Sequence, residues 1–330
     1  MEREYIGVDL HKVFFQVCAV DAAGIRQWEG RFPRTAAGIG EFLTRCDAER
    51  AVAVEACGPT WAFVDAVQPS GARVCVVDPR KTRLKAGYAA KTDRLDARRL
   101  ADALRRDSVV SIYVPPPAIR ELRELCRGRN QLVRLRTRLA QMIRALLLRT
   151  GIGDPPGRKL YAPAALAWLE QVDLPGTATA RVRRLDRLFR AIHAEAQAAD
   201  AEVRAQAARD PVAMALDPLV GVGPVLALTI RAEVGDISRF RRGAELASYA
   251  GLVPRVERSA GHGWSGRITR EGSPWLRWAL VEAAMHAIRR QDRIGRWARR
   301  LTVRKGTFKA RVALARVLCD DIVAQWPRSE

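Results

Sequence analysis

Two aspartates three positions apart, Asp93 and Asp96, stand inside an arginine-rich run, KTDRLDARRLADALRRD, at residues 91–107. Residues at i and i+3 neighbour each other on a helix, so both carboxylates fall on one face and repel mildly. Two readings are open: they are ordinary partners for Arg94, Arg98 and Arg99, or they are half of a metal site. Two more carboxylates end apolar runs, Asp9 in YIGVDL and Glu55 in AVAVEAC. Taken singly, an acid at such a place is most often a turn or capping residue, and Asp93 is placed to cap a helix. Four carboxylates in one cleft, however, cannot all stay ionised without cations. Hard oxygen donors of this kind suit Mg²⁺ or Mn²⁺, which keep several waters and accept phosphate oxygens. Two such ions would clamp the attacking and leaving oxygens of a phosphoryl transfer.

The elements that must position these acids are legible in the first 115 residues. YIGVDL, VFFQVCAV and IRQWEGRF are β-type runs separated by turn-length gaps, which predicts an antiparallel meander. AAGIGEFLTRC reads as a helix, AVAVEAC as a buried central strand, WAFVDAV as a helix and ARVCVVDP as a second buried strand. The helix that begins near Asp93 follows. The order β-β-β-α-β-α-β-α is that of a ribonuclease H-like α/β fold. In that fold the first and fourth strands are parallel neighbours, so Asp9 and Glu55 would project side by side, with the last helix crossing next to them.

VPPPAIR marks a boundary. A long helix is expected from Ala118 to Arg149, with nine arginines against two glutamates, and a second from about Ala178 to Ala208. Their length suggests an antiparallel hairpin or an oligomerising coiled coil, with a helical linker as the plain alternative. LVGVGPVLALTIRAEVGDISRF (219–240) has the Gly-x-Gly spacing of a helix-hairpin-helix, whose backbone N–H groups can approach a phosphate; a tight helix turn would use the same glycines. A Gly/Arg/Ser-rich loop and an amphipathic basic tail complete the chain. The expected organisation is a ribonuclease H-like domain over 1–115, a segment of long helices over 116–212 and a mostly α domain over 213–330.

The 330 residues carry 57 basic against 36 acidic side chains, a net charge of +21. Residues 1–117 hold 18 basic and 15 acidic groups, so +18 of the excess lies beyond them. Such an excess predicts a polyanionic partner, nucleic acid before an anionic membrane surface. Of the basic residues 50 are arginine, a bias that a GC-rich genome would also produce. The six cysteines lack metal-ligand spacing and sit in mostly apolar contexts, which predicts buried free thiols in a reducing cytosol. There is no signal-peptide pattern and no apolar run long enough to span a bilayer, so a cytoplasmic protein without a membrane partner is expected.

Five blocks together resemble the DEDD transposases of bacterial insertion sequences, insertion-sequence family 110 and its relatives, which include the Piv-type invertases. They are IGVDLHK, VEACG, DPRKTRLKAGYAAKTDRLDARRLADALR, LVGVGPVLALTIRAEVGDISRF and ASYAGLVPRVERSAG with GRITREGSPWLRWALVEAA. They span nearly the whole chain. The resemblance implies that Asp9, Glu55, Asp93 and Asp96 bind the metal, and that a C-terminal transposase domain carries a nucleophilic serine. That serine falls on Ser259, five residues after Pro254, with Ser265 as its rival because it precedes Gly266 directly. The chain departs from the family at EACGPTW, where Cys57 replaces a threonine and Trp61 is displaced, and at RSAGHGWSG, where no glycine directly follows Ser259.

The activity implied is cut-and-rejoin recombination of double-stranded donor and target DNA through a phosphoserine-DNA intermediate, guided by a structured noncoding RNA, in a homo-oligomer (dimer or tetramer). Lys81, Arg83, Lys85 and Lys91 beside the acids, and Arg255, Arg267 and Arg270 near the serine, are expected to hold nucleic acid. A metal-dependent, structure-specific nuclease such as a junction resolvase would need the acids and no serine. A non-catalytic binding protein would need neither.

Overall fold

The computed structural model describes residues 4–78, 81–82, 92–157, 159–259, 262–289 and 291–327, with the side chains of 256–259 and 262–265 outside that description. The chain divides into two compact units, Met1–Val114 and Pro115–Glu330.

The first unit is a mixed sheet of β1 (Tyr5–Leu10), β2 (Phe14–Val20), β3 (Arg26–Pro33), β4 (Ala51–Glu55) and β5 (Arg73–Val77), in the order β3-β2-β1-β4-β5. The meander pairs β1, β2 and β3 antiparallel, whereas β4 runs parallel to both β1 and β5. Helices α1 (Ala36–Leu43), α2 (Thr60–Val67) and α3 (Asp93–Arg105) complete it. Alternation along the strands divides the core. Ile6, Val8, Val52 and Val54 face a layer that includes Phe42 of α1 and Phe63 of α2. There Phe15 meets Phe32, Phe42 and Phe63 at centroid distances of 5.4, 5.5 and 5.3 Å, within the range of favourable aromatic pairs. Ala51, Ala53, Cys18 and Val20 face the other way, onto α3.

Small residues on that second face let α3 lie very close. Gly7 is the tightest point: a Cβ there would press into the carbonyl oxygen of Ala97 and the amide of Ala101. Any side chain at residue 7 would therefore lift α3 off β1.

The second unit is built on two long helices, α4 (Pro117–Arg149) and α6 (Ala178–Ala207), with α5 (Pro163–Gln171) between them. Arg129 meets Asp200 at 2.5 Å and Arg136 approaches His193 at 3.4 Å. The partner numbers fall as the helix numbers rise, so α4 and α6 form an antiparallel hairpin within one chain. Leu139, Ile143 and Leu147 interlock with Val182, Leu185 and Phe189 along its apolar seam.

The rest of the unit packs α7 (Pro211–Leu216), α8 (Gly223–Val234), α9 (Gly243–Tyr249), α10 (Pro274–Ala287), α11 (Arg293–Lys305) and α12 (Thr307–Gln325) with a two-stranded hairpin, β6 (Pro254–Ser259) and β7 (His262–Ile268). The Gly-x-Gly between α7 and α8 has a packing task at its first glycine. Gly221 adopts φ +88° and lies against the Ala283 carbonyl of α10, where no side chain fits, while Gly223 faces open space. Glu233 of α8 is 1% exposed, yet Arg127 holds it through bonds of 2.8 and 2.9 Å, and the Ser273 hydroxyl donates to it at 2.8 Å.

Three expectations are corrected. The cap of α3 is Thr92, whose hydroxyl accepts from the Leu95 N–H at 3.3 Å, so Asp93 occupies the first helical turn instead. The stretch expected as a Gly/Arg/Ser loop instead holds two antiparallel strands, paired from Pro254 with Ile268 to Ser259 with His262. Of the six free cysteines only Cys18, Cys126 and Cys319 are buried, and Cys57 is exposed. Burial pushes the Cys126 thiol up to about 11 and those of Cys46 and Cys319 up to about 12, which leaves them unreactive. Among the described residues, no helix is long and apolar enough to cross a membrane.

Candidate active site

The last paired residues of β1 and β4 are Val8 and Val54, so Asp9 and Glu55 are the next residues of two parallel strands. Adjacent strands lie about 4.8 Å apart, which makes these acids neighbours at one sheet edge. Both share the pleat phase of Gly7 and Ala53, the face that α3 covers. The turn after Glu55 is fixed: the Thr60 hydroxyl donates to the Glu55 carbonyl at 2.9 Å and accepts from the Cys57 N–H at 2.8 Å.

Helix α3 delivers the other two acids. Asp93 and Asp96 lie in its first turn, where the unpaired N–H groups and the helix dipole favour negative charge. That answers the mild i, i+3 repulsion between them. Asp96 also accepts from Arg99 at 3.1 Å, an ion pair within the helix.

His11 joins the two acidic pieces. Its Nε2 lies 3.1 Å from Asp9 Oδ2 and 3.3 Å from Asp93 Oδ1. A nitrogen between two carboxylate oxygens carries the proton and donates, so the tautomer with hydrogen on Nε2 is the one that satisfies both. Donor atoms of Asp9, His11 and Asp93 all lie within 4.8 Å of one another. Burial pushes the Asp9 carboxyl above the usual carboxylate range; His11 opposes this, and the charges of Asp93 and Asp96 add to it. A desolvated carboxylate among like charges is the electrostatic setting in which a divalent cation gains most. Once the Nε2 proton is displaced, two carboxylates and an imidazole form a donor set that fits such an ion.

The structure thus brings Asp9 and Asp93 together through His11. It keeps Asp96 within electrostatic reach and leaves Glu55 at the neighbouring strand end. Beside them, a cavity of about 370 Å³ is lined by Gln16, Glu29, Arg31, Thr92, Asp93 and Arg94. His11 is the residue that sequence reasoning passed over. Its signal was present in IGVDLHK, where a histidine follows the strand-end aspartate by two positions across a tight turn.

The other expected residues are scattered. Lys81 is exposed just beyond β5, whereas Arg83, Lys85 and Lys91 lie outside the described residues. Ser259 is the last residue of β6, opposite His262, and Ser265 stands on β7 opposite Val256; their side chains lie outside the described set. Arg255, Arg267 and Arg270 are exposed on or just after the hairpin.

Comparison with known proteins bears on both units. A DEDD transposase model matches residues 6–152, and a second model, described as transposase of the IS116/IS110/IS902 family, matches residues 213–298. The chain belongs to the IS110-family DEDD transposases. A probable family 20 transposase of Pseudomonas aeruginosa is 29% identical over 96% of this chain and 94% of its own length. The transposase for insertion sequence element IS1111A of Coxiella burnetii is 28% identical over 94% of this chain and 86% of its own. A transposase for insertion sequence element IS1328 of Yersinia enterocolitica is 25% identical over 95% and 93%. This transposase of an insertion sequence is an enzyme that acts on DNA, and its acidic cluster lies within the DEDD match.

Proposed function

We propose that the transposase cuts and rejoins DNA with a divalent-metal centre on Asp9, Glu55, Asp93 and Asp96, using Ser259 of the second unit as nucleophile. The observation that carries the metal reading is the convergence of Asp9 and Asp93 on one His11 nitrogen at 3.1 and 3.3 Å. The strand order β3-β2-β1-β4-β5 supports a ribonuclease H/RuvC-like first domain, because it sets two acids at adjacent parallel strand ends. The organisation proposed is a catalytic domain over 1–115, a helical segment over 116–212 and a C-terminal transposase domain over 213–330.

When bound, Mg²⁺ or Mn²⁺ neutralises the scissile phosphate and makes a nearby alcohol easier to deprotonate. The chain's own groups do the rest. Asp9, Glu55, Asp93 and Asp96 hold the charge, and His11 keeps Asp9 and Asp93 facing one another. Lys81, Arg83, Lys85 and Lys91 grip the DNA backbone beside the acids, with Arg255, Arg267 and Arg270 acting near the serine. The Ser259 oxygen forms a bond to phosphorus as the P–O bond to the leaving strand breaks, and its proton leaves to the nearest base. The phosphoserine linkage conserves the bond for rejoining, which hydrolysis would lose. Donor and target duplexes, a structured noncoding guide RNA and a homo-oligomer complete the reading.

The test is a denaturation-resistant adduct between the protein and a DNA end. It should require Mg²⁺ or Mn²⁺, map by peptide mass to Ser259 and vanish in Ser259→Ala. Cleavage that persists in Ser259→Ala would replace this reading with a junction-resolvase-like nuclease.

A further inference from the structure

The second unit carries a groove for which the metal site has no use. It lies between the β6–β7 hairpin and the corner where α11 turns into α12, with a cavity volume of about 970 Å³. That is at the upper end of the roughly 300–1,000 Å³ usual for ligand sites. Its rim is cationic: Arg267, Arg270, Arg304, Lys305, Lys309 and Arg316. Among the described residues none of these six is held by an acid in an ion pair, unlike Arg127, Arg129 or Arg190 of the same unit. A seventh cation, Arg311, has its Nε buried without a hydrogen-bond partner among the described residues. So much unpaired positive charge around one opening repels itself until an anion fills it.

The floor is different. Leu252, Ile268, Val281, Leu301 and Val312 make it mostly apolar. At the mouth stands Phe308, a large aromatic side chain 80% exposed to solvent. The Arg311 guanidinium lies 5.8 Å from its ring centroid, close enough to steady the ring by a cation–π contact.

A duplex would use only the rim, since its bases are stacked away from the floor. A flat lipid surface would meet the rim and leave the groove below it unfilled. A strand with unpaired bases uses both parts: phosphates along the cations and a base face against Phe308 and the apolar floor. Arginine and lysine donate to a ribose 2′-hydroxyl as well as to a phosphate, so the rim does not itself select the sugar; DNA is the occupant chosen because the chain is a transposase that acts on DNA.

We infer that this groove holds a segment of unpaired DNA, with Phe308 as the stacking platform. The inference rests on the reading of the protein as a DNA-cutting transposase, in which strands are released at the cut.

The measurement is fluorescence anisotropy of labelled 20-nucleotide oligomers with the full chain in EDTA, at about 0.2 M salt to suppress non-specific phosphate binding. Single-stranded DNA should bind more tightly than the duplex or RNA of the same sequence. Phe308→Ala should weaken single-strand binding about tenfold and leave duplex binding within twofold, while Phe308→Trp should retain it. Arg304→Glu combined with Lys309→Glu should weaken single-strand binding further and flatten its salt dependence. Tighter binding of duplex or RNA than of single-stranded DNA overturns the inference, as does wild-type affinity in Phe308→Ala. Because the assay contains no metal, it reads the groove without the cleavage centre. A failed groove is therefore distinguishable from a failed metal site, which would appear only in cleavage.

Discussion

At the scale of single residues, Asp9 makes the sharpest claim. Burial and the charges of Asp93 and Asp96 hold its carboxyl above the ordinary range, against the pull of His11. A raised folded-state value means that stability present below the unfolded value is lost as pH rises through the folded one. At neutral pH the ionised Asp9 therefore costs the metal-free fold something, and the cost fades on acidification below the usual aspartate range. Asp9→Asn should raise the melting temperature in EDTA at pH 7 by about 1–3 °C, with no gain near pH 3. Mn²⁺ should stabilise the wild type and leave the variant unmoved. An equal Mn²⁺ response in both would remove Asp9 from the metal set. Much of this site was legible beforehand, because strand-end acids announce themselves by following apolar runs. His11 was not, since one histidine after a strand is unremarkable until the fold sets Asp93 opposite it. Glu233 escaped for a similar reason: Arg127 lies on another helix, and sequence distance hides such a pairing.

Among the elements, α3 decides whether the site assembles. Its position is set by small residues beneath it, above all Gly7, where an added Cβ would strike backbone atoms of Ala97 and Ala101. Backbone cannot rotate aside as a side chain does. Gly7→Ala should cost about 1–3 kcal/mol in chemical denaturation, as overpacking does. Transposition should fall at least tenfold even where the protein remains folded, because Asp93 and Asp96 ride on the displaced helix. Wild-type transposition in a folded Gly7→Ala chain would show that the spacing of α3 from β1 is not what sets the site. The order β-β-β-α-β-α-β-α was readable because β1, β2, β4 and β5 are short, mostly apolar runs between turns, and β3 follows β2 after a turn-length gap. The β6–β7 hairpin was not. Its strands carry Arg, Ser and Gly at positions where most strands carry bulky groups, so composition imitates a loop. At the start of α3, Thr92 and Asp93 are both good caps by residue type, and only geometry chooses Thr92.

For the molecule as a whole, charge is divided unevenly. The first unit is nearly neutral, and the second carries +18 of the net +21. Binding of a duplex lacking any specific site should weaken steeply with salt. Six neutralised phosphates would give a slope near −5 in log K against log salt. A slope shallower than about −2 in a filter-binding titration would assign the arginines to packing and solubility instead. The long helical pair adds a consequence of another kind. Helix α4 rises about 50 Å over its length and is matched residue for residue by α6, as Arg129 with Asp200 and Arg136 with His193 record. One added codon within it would turn everything downstream by about 100° and unpair the seam, while seven would restore the face. In the gene, this stretch should therefore accept single-base substitutions on its exposed face, and in-frame insertions almost only in steps of about twenty-one nucleotides, matched by a like change in the segment encoding α6.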